Sequence, residues 1–145
     1  MRLIQRYFAL SRARRTALHQ TCLVFLLLRL LTGRLALKRI IRFLSSTGKK
    51  DVSSVPHCEL NDILWSIHAV NHRLPGATCL MNAIAAKYLL KKHCIDAQLL
   101  IGVRKDSTET LKAHAWVTVD QKIVLGDVEN ISEYIPLPKS RLLKL

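Results

Sequence analysis

The first fifty residues contain no aspartate and no glutamate, against twelve lysines and arginines. Proline is also missing before Pro56, and glycine occurs there only at Gly33 and Gly48. Nothing in this stretch breaks a helical reading. An apolar run long enough to span a bilayer is lacking too. Leu23-Val24-Phe25-Leu26-Leu27-Leu28 gives way to Arg29 and Arg34, well short of the roughly twenty residues a span requires. The same run is too short for a secretory signal, and no small-residue cleavage site follows it. Cys22, Cys58, Cys79 and Cys94 show no C-x-x-C spacing; without a signal peptide they argue for the reducing cytoplasm. There are no internal repeats, no glycine-rich phosphate loop and no dinucleotide fingerprint, so no cofactor is expected. Nucleic acid is set aside as a partner because no recognition motif is present.

What is there divides unevenly. The 145 residues suffice for a single core, and with half of them hydrophobic the chain is not disordered. The formal net charge of +13 sits almost wholly in the first third; the rest is near neutral. Residues 1–50 therefore form a basic, apolar helical region, and 51–145 the unit that carries chemistry. Arg34, Lys38, Arg39 and Arg42 among Leu35, Leu37, Ile40, Ile41 and Phe43 describe an amphipathic basic helix. Three readings of it are open: a helical layer on the second unit, a surface for an acidic protein or peptide, or peripheral membrane contact. Thr47–Pro56 is polar and reads as a linker. Leu60, Ile63, Leu64, Ile67 and Val70 mark a helix over Asn61–Val70. His68 and His72 fall one turn apart on it, but no third ligand is near, so no metal site is read.

The informative stretch runs from Arg73 to Asp127. Thr78 is placed to cap a helix beginning at Cys79, with Leu80, Ala83, Ile84 and Tyr88 at helical intervals. The partial positive charge of a helix N-terminus favours a thiolate at Cys79, the attacking form of cysteine. Lys91-Lys92-His93 suits the helix end. Strands are expected at Ala97–Val103, Ala113–Val119 and Ile123–Asp127, with Arg104–Thr110 a loop and Asp120-Gln121 a two-residue turn. That turn sets Val119 against Lys122 and, if pairing continues unbroken, His114 against Asp127. Trp116, Thr118, Ile123 and Leu125 would then share the His114 face, and the Cys79 helix would cover it. Cys79, His114 and Asp127 thereby become a candidate nucleophile, base and orienting acid. Asp120 is the rival acid, but it lies in the turn. Taken singly, each has a plainer reading: a buried cysteine, a satisfied histidine, a turn aspartate. Past Asp127, Tyr134–Pro138 reads as an extended return across the domain.

Taken together, R-L-P-G-A-T-C-L-M-N-A-I-A-A-K-Y-L-L-K-K-H, A-Q-L-L-I-G-V-R-K-D and A-H-A-W-V-T-V resemble the transglutaminase-like cysteine peptidase domain of lasso-peptide maturation B proteins, over about Asn61 to Glu129. The resemblance implies an α+β fold: a nucleophile helix on a small antiparallel sheet, as in the transglutaminase/papain-like core, behind a helical N-terminal region. It implies that Cys79, His114 and Asp127 cut the leader from a ribosomally made precursor peptide. The helical first third lacks the strands of a fused leader-binding domain. The stand-alone form is therefore implied, with a separate leader-binding (RiPP recognition element) protein and a lasso cyclase as partners. Two alternatives stay open: another transglutaminase-like acyl transfer or amidase activity, and a non-catalytic basic binding module.

Overall fold

A computed structural model describes residues 5, 7–31, 57–105 and 109–138. The basic helix expected around Arg34–Arg42, the linker at Thr47–Pro56 and the boundary at residue 50 all lie outside the described residues. In chain order the elements are α1 (Arg12–Leu31), α2 (His57–Asn71), α3 (Cys79–Lys92), β1 (Ala97–Lys105), β2 (Leu111–Val119), β3 (Lys122–Leu125), a 3-10 turn at Ile131–Glu133, and β4 (Ile135–Pro136). The strands form one antiparallel sheet in the order β3-β2-β1-β4. The fold is α+β, as expected, and the extended return after Tyr134 supplies the edge strand β4.

One core joins helices and sheet. Phe25 and Leu28 of α1 meet Ile63, Ile67 and Val70 of α2, and Ala83, Ile84, Ala86, Leu89 and Leu90 of α3. Ala97, Ala115, Val117 and Leu125 close the core from the sheet. The small side chains Ala83, Ala86, Ala97 and Ala115 let α3 approach the strands closely, which is how a short sheet buries a whole helix face. Polar contacts fix α1 against α2. Ser66 donates to the Ile63 carbonyl at 2.7 Å, so its hydroxyl must accept from Thr21, 2.6 Å away, inside the core. Arg14 donates to the nearly buried Asp62 carboxylate at 2.9 Å and lies over the Trp65 ring.

Two expectations about the hairpin need correction. Asp120 (φ 48°) and Gln121 (φ 64°) form the tight turn with both central residues at positive φ. Val119 pairs with Lys122 and Thr118 with Ile123, as the turn requires. The register then shifts: Val117 pairs with Leu125, leaving Val124 as the extra residue of a bulge. Asp127 is therefore not directly opposite His114, and β3 ends at Leu125 rather than at Asp127. The bulge rotates Leu125 into the core beside Val117, where both are buried; unbroken pairing would have left Leu125 on the other face.

The second correction is to the faces themselves. α3 packs on the face of Ala97, Ala115 and Val117. Alternation along β2 puts His114, Trp116 and Thr118 on the opposite face. There the Trp116 ring lies over Gly102, where an added Cβ would meet ring carbons at 2.7 and 2.9 Å.

Candidate active site

The helix start at Cys79 is local in origin. Thr78 is extended (φ −93°, ψ 161°), and its hydroxyl oxygen accepts from the Met81 backbone N–H at 3.3 Å. Just upstream, Gly76 takes φ +82°, a conformation that ordinary side chains resist. Arg29, near the end of α1, donates to the Pro75 carbonyl at 3.0 Å. The loop before Cys79 is thus held at both ends: by its own cap and by a helix far back in the sequence. Cys79 itself is half-buried with a free thiol, and as the first helical residue its backbone N–H is among those a helix leaves without internal partners.

The side chain of His114, half-buried on β2, donates from Nε2 to the Gly126 carbonyl at 2.8 Å. Gly126 is the hinge by which the chain leaves β3. It takes φ +82°, and a Cβ on it would stand 2.7 Å from the Ala115 carbonyl oxygen, so only glycine fits. On its other side the imidazole packs against Tyr134 (ring centroids 5.5 Å apart) and stacks with Trp116 at 6.3 Å. Tyr134 is in turn covered by the Arg104 guanidinium, which is paired with Glu133 at 2.5 Å.

Cys79, His114 and Asp127 all line one cleft of about 320 Å³, together with His68, Asn71 and Asn82. The three expected residues thus share a cavity but not a hydrogen-bonded chain: among the described residues, no such bond joins His114 to Cys79 or to Asp127. Asp127 lies beyond the end of β3 and is exposed. Asp120 sits in the turn and does not line the cleft.

Sequence reading missed several residues at this site. Asn82 lies one turn after Cys79, a spacing that could have exposed it. Its Nδ2 donates to Asn71 Oδ1 at 3.1 Å, while its own Oδ1 is buried without a partner among the described residues. His68 borders the cleft as a potential substrate contact; no group of three or more metal-binding side chains occurs among the described residues. The Gly126 carbonyl left no signal, because it depends on the bulge; Tyr134 was read only as the start of an extended return, and its place beside His114 follows from the pairing of that return with β1.

Residues 22–139, most of the chain, match the transglutaminase-like superfamily. The chain belongs to that superfamily. Transglutaminase-like domains are commonly cysteine peptidases or acyltransferases, and in this one the matched region begins within α1, not after it. No curated protein and no solved structure matches the chain.

Proposed function

We propose that this transglutaminase-like domain is a cysteine peptidase that removes the leader from a lasso-peptide precursor. The observation that carries the reading is a free cysteine at the capped N-terminus of α3, opening on the same cleft as His114 and Asp127. A helix N-terminus favours the thiolate, and an imidazole across a cleft is the ordinary means of generating one.

In this mechanism His114 takes the Cys79 proton, and the sulfur attacks the carbonyl at the leader–core junction. The resulting oxyanion is met by the Cys79 backbone N–H. The tetrahedral intermediate collapses as His114 returns its proton to the departing amine of the core peptide. His114 then deprotonates a water molecule that hydrolyses the thioester and frees the leader acid. The Gly126 carbonyl orients the imidazole by accepting from Nε2, which leaves Nδ1 for the Cys79 proton, and Asp127 stabilises the imidazolium from the rim of the same cleft. Contact between His114 and the sulfur tightens when substrate fills the cleft, as catalytic hydrogen bonds often do. A separate leader-binding protein presents the precursor, and a cyclase consumes the new amine.

The test is mass spectrometry on the purified chain, given a precursor encoded beside it and the leader-binding protein. Leader acid and free core peptide are the expected products, and Cys79→Ala should yield neither. An amide of an added amine in place of the acid would assign the site to acyl transfer instead, since water and amine compete for the same thioester.

A further inference from the structure

Helix α1 has two apolar faces, and the core uses one. Thr21, Phe25 and Leu28 turn inward and are buried. On the outer side Leu23, Leu26, Leu27 and Leu30 are between 47% and 71% exposed. Their spacing makes one stripe about two turns long. Followed toward the N-terminus in steps of three and four, the stripe continues through His19 and Thr16 to Arg12, all exposed. Tyr7 bonds His19 through its hydroxyl at 2.7 Å, and beside it Phe8 is 67% exposed. No acidic residue occurs in α1 or anywhere in the first fifty residues. The face is therefore aliphatic at one end, cationic at the other, and free of anions.

We propose that this face lies on an anionic lipid surface, with Leu23, Leu26, Leu27 and Leu30 in the acyl boundary and Arg12 at the headgroup phosphates. Charge complementarity points to an anionic partner. The aliphatic stripe points to lipid rather than protein, because protein interfaces draw their affinity from aromatic and arginine anchors, and leucine is under-represented among them. The core occupies the inner side of α1, so only its outer side can meet a flat surface, in the manner of an interfacial helix. No described helix is long and apolar enough to cross a membrane, so the contact is in-plane. Arg29, on the flank of α1 between its inner and outer faces, ties the loop before Cys79 to the same helix. None of this depends on the proposed peptidase activity.

Sedimentation of the full chain with phosphatidylcholine vesicles, with and without phosphatidylglycerol, tests it. Binding should require phosphatidylglycerol and fall with added salt. Combined Leu26→Ser, Leu27→Ser and Leu30→Ser should weaken it by about tenfold or more, while Arg12→Gln should weaken it less. Near-ultraviolet circular dichroism checks that the triple variant stays folded. Any of these results would overturn the proposal: no binding by the parent chain, equal binding by the triple variant, or a parent dimer that the triple variant loses. A fall in thermal stability of the triple variant as large as that for a buried leucine would also overturn it, since the stripe would then be covered by the chain itself.

Discussion

The Cys79 thiol supplies the covalent step of the proposed chemistry, so Cys79→Ala should abolish precursor cleavage without unfolding the chain; Cys79→Ser should be nearly as inactive. The same thiol should react with iodoacetamide faster than Cys22 or Cys94, followed by peptide mapping. Burial pushes the Cys22 thiol above its ordinary value, and Cys94 has no helix N-terminus to favour its thiolate. Equal labelling of the three would favour a binding module over an enzyme. The two aspartates separate by kinetics on purified variants. Asp127→Asn should lower kcat about a hundredfold or more. Asp120→Asn should change little, since asparagine accepts the positive φ of that turn position and the side chain is away from the cleft. The helix start at Cys79 was legible because a threonine cap and a helical apolar pattern are properties of neighbouring residues. The route from His114 to Asp127 was not, because it crosses a bulge.

At the scale of elements, that bulge shows where local pattern runs out. Ile123, Val124 and Leu125 are all apolar, so alternation cannot say which of them faces the core. The tertiary demand for Leu125 beside Val117 decides it. β2 poses the same difficulty, since Ala115 and Val117 on one face and Trp116 on the other would each suit burial, and the sequence does not say which side α3 takes. The end of α3 is more instructive. The Ile95 N–H donates to the Leu90 carbonyl at 2.8 Å and the Cys94 N–H to the Lys91 carbonyl at 3.1 Å, with Cys94 at φ 60°. This is the Schellman arrangement, whose left-handed position is usually glycine. Cys94→Gly should therefore stabilise the protein by about 1 kcal/mol, the left-handed strain relieved less the added chain entropy, measurable as a higher urea midpoint with an unchanged slope.

For the molecule as a whole, α1 is part of the core and not an appendage to it. Phe25 is almost fully buried among residues of α2 and α3, so Phe25→Ala should cost about 3–5 kcal/mol. Helical and aromatic signals should fall together in one denaturation transition; two separated transitions would mean that α1 folds apart from the sheet. The placement of α1 also has a consequence for biosynthesis. Ser66, the partner of Thr21, follows it by 45 residues, and Leu89 and Leu90 are made later still. A ribosome adding about 5–20 residues per second leaves Phe25 and Leu28 uncovered for several seconds. Throughout that interval both sides of the nascent α1 are oily, which makes it a natural client for a ribosome-associated chaperone.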